Sequence, residues 1–319
     1  MSEARADSTY HRFTLGNWNT RASVRSSRHN YLLPVDLAQQ LETRHWFPPA
    51  LVPYLSHPAI AQAGRSTIHR LTANHLVYFL DYTTLLEHRI VNRSVETIIH
   101  GELGVRIPQP MKTAALQLYT DEGFHALFSD DLAARISRFY SIVPRPVMPR
   151  RITRLNALLT NVPKRHKPLA WFLTGFVSET IIARELLEVC RDALVSCVEE
   201  MLRDHLIDEA RHSRYFCEVF EFLWLTLDGG QRTFAARLLL DILLIFFDAD
   251  EQWLMSSLHS AGLGEQAVCD ILCDISGTQA VIRRARSGAD ATLQALKKAG
   301  FFDLPSNQQL FTQAGLVDG

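Results

Sequence analysis

Asp121-Glu122-Gly123-Phe124-His125 and His205-Leu206-Ile207-Asp208-Glu209-Ala210-Arg211-His212 decide how this chain is read. Each contains Glu-x-x-His. At 3.6 residues per turn, positions three apart share one face of a helix, so one carboxylate and one imidazole point the same way and can grip a metal ion. Two such helices facing each other supply two carboxylates and two imidazoles. A two-metal bundle then needs one further Glu from each of two other helices.

The flanking sequence offers both. Glu179 sits in the apolar run Trp171 to Ile182, where an ionised carboxylate is costly unless it is paired or coordinated. Glu87 sits among Leu85, Leu86 and Ile90 on an earlier helix; Glu96 and Glu102 are its rivals. The order is Glu87, Glu122-x-x-His125, Glu179, Glu209-x-x-His212, one carboxylate ahead of each pair. His205 precedes Glu209 by four residues and His212 by seven, which returns it to nearly the same face. Geometry alone leaves it either a converging ligand or a hydrogen-bonding neighbour of the site. Carboxylates with a few imidazoles suit iron or manganese better than zinc or copper.

Working outward, apolar residues recur at helical spacing from Pro58 to His100, as Leu71, His75, Tyr78, Tyr82, Leu85 and Leu86 illustrate. Gly101, Gly104, Pro108 and Pro110 end that helix. A second is expected over 111–140 and a third over 168–204. A fourth carries His205 to Leu227, divided from the third by a turn or kink near Arg203. A fifth covers 232–260, and one or two more fill 265–299. No alternating strand pattern, repeat, Gly-rich nucleotide loop or Walker motif is present. The expectation is an all-α bundle: an irregular arm over 1–34, one domain over 35–300, and an irregular tail over 301–319.

Composition excludes several classes. Lys and Arg number 33 against 34 Asp and Glu, so no net field draws nucleic acid or an anionic membrane. The apolar run Leu238 to Phe247 is too short for a bilayer and is broken by Asp241. The polar start, Met1 to Arg12, lacks the apolar centre of a signal peptide. Of five cysteines, Cys269 and Cys273 lie four apart and read as core thiols, so the expected compartment is the reducing cytoplasm. The basic stretch Arg145 to Arg154 reads as a solvated turn or as a dock for an acidic partner. The apolar helix 234–247 suits packing across a dimer axis.

The pattern Asp-Glu-x-x-His followed by His-x-x-x-Glu-x-x-His resembles the p-aminobenzoate N-oxygenase family of arylamine oxygenases. By motif the resemblance spans residues 70 to 230. It implies a ferritin-like di-iron bundle with additional helices, and metal-binding and catalytic roles for Glu87, Glu122, His125, Glu179, His205, Glu209 and His212. It favours Glu87 over Glu96, because the interval to Glu122 fits, and it makes His205 a third histidine ligand. It further implies two iron ions and O2-dependent oxidation of an amine to hydroxylamine, nitroso or nitro products through a peroxo-bridged intermediate, in natural product biosynthesis. An external electron donor is required. The family's binding of an arylamine carboxylate does not carry over: one turn before Glu87 stand Tyr82 and Thr83, not Arg. Arg89 and Arg184 are candidates for that task, and an amino-acid-derived amine, free or on a carrier protein, is the other substrate class. Different di-iron chemistry (C-hydroxylase, acyl-carrier desaturase, or a radical generator using Tyr119) and a non-enzymatic iron-binding protein are the alternatives.

Overall fold

The computed structural model describes residues 12–26, 30–143 and 148–318. Four long helices build a bundle. Helix α1 runs Arg65–Leu86, passes through a π-helical turn at Glu87–Val91 and continues over Asn92–Ile99. Helix α2 is Gln109–Tyr140, with Pro110 in its first turn, where no amide hydrogen is needed, and Ser141 in the left-handed region closing it. After α3 (Arg150–Thr160), α4 (Lys167–Val189) and α5 (Ser196–Thr226) complete the bundle. Helices α1 and α2 pack together, as do α4 and α5. Among the described residues the only β pairing is a lone bridge between His45 and Leu194.

Two apolar clusters fill the bundle end to end. One gathers Leu86, Val95, Leu118, Phe176 and Phe216; the other gathers Leu71, Leu80, Phe128, Ile136 and Leu202. The four helices cross the boundary between these clusters with their carboxylates and imidazoles, so the polar site is sealed from both ends of the bundle. Where α4 passes the last part of α1, Gly175 makes the approach possible. A Cβ there would stand 2.2 Å from Ser94 Oγ and 2.5 Å from Ser94 Cβ. Gly175→Ala should therefore cost about 1–3 kcal/mol as overpacking, read as a fall in urea midpoint. Adding Ser94→Gly should recover most of that loss, and a single variant as stable as the parent would refute the close approach.

Several boundaries differ from the sequence reading. The break between the third and fourth helices lies at 190–195, not near Arg203. His45 N donates to Ala193 O and Val195 N donates to His45 O, so a distant segment takes over backbone groups that would otherwise continue the helix. The expected fifth helix is two, α6 (Gly229–Phe246) and α7 (Glu251–Ser260). Asp228 and Gln231 form a reciprocal cap on the first, and Asp250 caps the second. Asp248, between them, is held by Arg150 and Arg154 at 2.8 and 2.5 Å.

Those two arginines, with half-buried Arg151 donating to Asp248 O, give the basic stretch a structural role; Arg145 lies outside the described residues. After α8 (Glu265–Ser276), α9 (Thr278–Gly288) and α10 (Asp290–Lys298), the tail is not irregular: α11 (Pro305–Gln313) buries Phe311 against Phe301. Cys269 and Cys273 are exposed on α8 rather than in the core. Part of the expected arm is also ordered, as single helical turns at Trp18–Arg21 and Ser23–Ser26 lying against α2 and α5. Among the described residues no helix is long and apolar enough to cross a membrane.

Candidate metal centre

The structure brings all seven predicted residues into one buried cluster. Glu87 comes from the π-turn of α1, Glu122 and His125 from α2, Glu179 from α4, and His205, Glu209 and His212 from α5. None is more than 2% exposed. The rival Glu96 and Glu102 lie outside it, both paired to Arg93 at the surface. A π-turn widens the helix by one residue and so re-aims the side chains on either side, a device common at functional positions.

Two overlapping groups of ligand-type atoms lie close enough to hold a metal ion each. Glu87, His125, His205 and Glu209 form one; Glu122, His125, Glu209 and His212 form the other. Glu209 Oε1 is the hub, 3.2 Å from His125 Nδ1, 3.3 Å from His205 Nε2 and 3.3 Å from His212 Nδ1. Glu122 spans two of these histidines, 3.7 Å from His125 Nδ1 and 2.9 Å from His212 Nδ1. Glu87 Oε1 reaches His205 Nε2 at 2.8 Å, on one side. Glu179 Oε2 lies 3.7 Å from His212 Nδ1, on the other.

Each Glu-x-x-His carries an Asp immediately before the Glu, and these aspartates cross between helices. Asp208 of α5 accepts from His125 Nε2 of α2 at 3.1 Å; Asp121 of α2 accepts from His212 Nε2 of α5 at 3.0 Å. A proton held on Nε2 leaves the Nδ1 lone pair facing the cluster, which is the orientation a metal needs. The aspartates are themselves anchored by the arm. Trp18 Nε1 donates to both oxygens of Asp121 at 2.9 and 2.8 Å, and Ser23 N donates to Asp208 at 3.0 Å, beside Arg211. Asp121, Asp208, Trp18 and Ser23 were not among the residues singled out from sequence. The repeated Asp ahead of each Glu was the legible signal; nothing local marked Trp18 or Ser23.

The electrostatics show what the cluster lacks. Burial pushes Glu87 up to about 7, and burial with the neighbouring Glu209 and Glu122 charges pushes Glu179 well up. Burial works against charge on Glu209 too, but His212 and the close approach of all three imidazoles hold it well below the ordinary range. Burial likewise opposes charge on His125 and His212, yet their carboxylate partners raise both well above an ordinary histidine. Protons are thus standing in for positive charge. Both oxygens of Glu87 and of Glu122, Glu179 Oε2, Glu209 Oε2 and His125 Nδ1 are buried without a hydrogen-bond partner. So many orphaned acceptors aimed at one point is a cost few folds carry unless something else satisfies them. Two divalent cations would balance the four glutamates with the imidazoles neutral.

Asp208→Asn and Asp121→Asn test the orienting role. Each should lower metal affinity by about 10–100-fold, measured by competition with a chelator, while leaving the fold intact. Affinity unchanged in both would refute that role.

Other candidates sit elsewhere. Arg89 is exposed and touches Met148, and Arg184 is paired with Glu188 at 2.7 Å. Tyr119 is 40% exposed on the outside of α2, which removes the support for a radical tyrosine beside the metal. A pocket of about 600 Å³ along the outer α1–α2 groove has an aromatic wall of Tyr78 stacked on Trp253.

With this geometry in place, comparison with known protein families gives a match. The family described as P-aminobenzoate N-oxygenase AurF covers residues 20–284, which takes in every residue of the cluster. No curated protein matches the chain.

Proposed function

The chain belongs to the p-aminobenzoate N-oxygenase AurF family, and from that membership we propose that it is an O2-dependent di-iron enzyme that oxidises the nitrogen of an amine. The observation that carries this reading is the sealed cluster of four glutamates and three histidines with its unsatisfied oxygens. Glu87, His205 and Glu209 would hold one iron ion and Glu122, Glu209 and His212 the other, with His125 in both groups and Glu179 beside His212. Two irons bound there would supply the electrons and open coordination positions that oxygen activation requires.

The chain's own part is placement and exclusion. Asp121 and Asp208 keep the ring nitrogens aimed inward. Phe128 packs on His125 and His205, at ring separations of 5.3 and 5.5 Å, and keeps water from that side. Carboxylates suit iron that changes oxidation state because they shift between one- and two-oxygen contact. His205 adds a third imidazole beside Glu87, so that side carries more neutral donors than the Glu179 side.

The substrate we propose is an arylamine or an amino-acid-derived amine, free or carrier-bound. Internal pairing of Arg150 and Arg154 with Asp248 weakens the basic stretch as a carrier dock. The test is to load ferrous iron without air, then add labelled oxygen, reductant and a panel of arylamines, free amino acids and carrier-bound aminoacyl groups. Label on the nitrogen of one class establishes the reaction and its substrate. Label on carbon, or loss of two hydrogens, moves the assignment to a hydroxylase or desaturase. Oxygen uptake with no oxidised amine overturns the N-oxygenase reading.

A further inference from the structure

A site that reduces oxygen must be refilled with electrons, yet its ligands are sealed: no cluster residue exceeds 2% exposure. An external reductant cannot touch them. The electron must cross protein, and the structure offers a short, continuous, hydrogen-bonded way out that ends on an aromatic ring. His212 Nε2 donates to Asp121 Oδ2 at 3.0 Å, and Trp18 Nε1 donates to that same oxygen at 2.8 Å. Two hydrogen bonds therefore join a metal-facing imidazole to an indole, and that indole is only half-buried. We propose that Trp18–Asp121–His212 is the electron-entry route, with the indole as the contact point for a one-electron reductant.

The two halves of the site differ at this point. The corresponding aspartate, Asp208, is held by the Ser23 amide and the Arg211 guanidinium, neither of which is an aromatic ring able to relay an electron as the Trp18 indole can. Phe128 also abuts His125 and His205, but it is 3% exposed and joined by ring contact alone. The face around Trp18 is cationic: the Arg25 guanidinium lies 5.8 Å from the indole centroid, and Arg25 and Arg21 are both exposed. Such a face raises the local concentration of a reductant bearing negative charge.

The balance is simple. The reductant loses one electron and one ferric ion becomes ferrous; a second transfer returns the pair to the ferrous state. The electron passes through the indole without residing on it, and the protons on Trp18 Nε1 and His212 Nε2 stay in place. The proposal rests on the two-iron reading above.

The experiment is stopped-flow reduction of the diferric protein by dithionite, followed by loss of its visible absorption, with iron counted before each run. Trp18→Phe keeps a ring but removes the N–H. It should hold its iron with an unchanged spectrum and reduce about 10-fold or more slowly, the lower end of what outer partners of ligating histidines carry. Arg25→Glu, which touches no ligand, should also slow reduction at low salt. Arg138→Glu, exposed at the far end of α2, should not.

Trp18→Phe reducing at the parent rate overturns the route while leaving the two-iron reading intact. Iron lost from Trp18→Phe makes Trp18 a positioning residue; if Arg25→Glu then also matches the parent, the route is overturned. Equal slowing by Arg25→Glu and Arg138→Glu reduces the effect to net charge and overturns it too. Failure of the parent protein to bind iron would sink the two-iron reading itself.

Discussion

Glu209→Ala should purify with little or no iron and form no oxidised amine. No other carboxylate stands within 3.3 Å of a nitrogen on each of the three clustered histidines, and both candidate metal groups include it. The same change should be felt without metal. In the metal-free protein Glu209 is the anion that offsets the neighbouring imidazoles, which hold its carboxyl well below the ordinary range. Removing one partner from a buried charge network costs about 3–5 kcal/mol. Chemical denaturation of chelated samples should show that loss. Glu87→Ala should be milder, since Glu87 Oε1 is close to His205 alone, at 2.8 Å, and stands 4.0 Å from His125. Iron content and metal-free stability both at parental values in Glu209→Ala would refute the arrangement.

Metal binding should release several protons, and its affinity should climb steeply with pH. Without metal, His125 and His212 hold protons well above pH 6.5, because burial against charge is outweighed by their carboxylate partners. Burial keeps a proton on Glu179, and on Glu87 up to about pH 7. A metal ion takes the same lone pairs, so those protons must leave. Each displaced proton makes affinity rise about tenfold per pH unit, until that group is deprotonated in the free protein. Titrations in buffers of different ionisation enthalpy count the protons directly.

Metal-free stability should run the other way in part of this range. A raised folded pKa gives stability that is full below the unfolded value and lost as pH rises through the folded one. For Glu87 that loss runs from the ordinary carboxylate range up to about 7, and for the histidines it begins near their ordinary value and extends upward. Glu209 and Asp208, both lowered, lose their contribution only in acid. Metal binding that releases no protons near neutrality would remove the basis for this account.

What the sequence determined by itself was everything carried within one turn or one face of a helix. The Glu-x-x-His pairs, the seven-residue return from His212 to His205, and a lone carboxylate in an apolar run were legible because helical period fixes which side chains share a face. They gave the helical class of the fold and most of the clustered residues; the family resemblance completed the seven by favouring Glu87 over Glu96 and making His205 a ligand. The tertiary structure decided what one helix asks of another. The aspartates bond histidines of the opposite helix, 83 and 91 positions away, which no local pattern encodes. The break at 190–195 arises from backbone bonds to His45, and so could not be read from residues that suit a helix throughout. The π-turn at Glu87 leaves no mark in composition. The arm and the tail looked irregular because their partners, Asp121 and Asp208 for one and Phe301 for the other, come to them only once the bundle has formed. Local periodicity orients side chains on a helix, whereas the meeting of distant helices is settled by packing and by the need of buried polar atoms for partners.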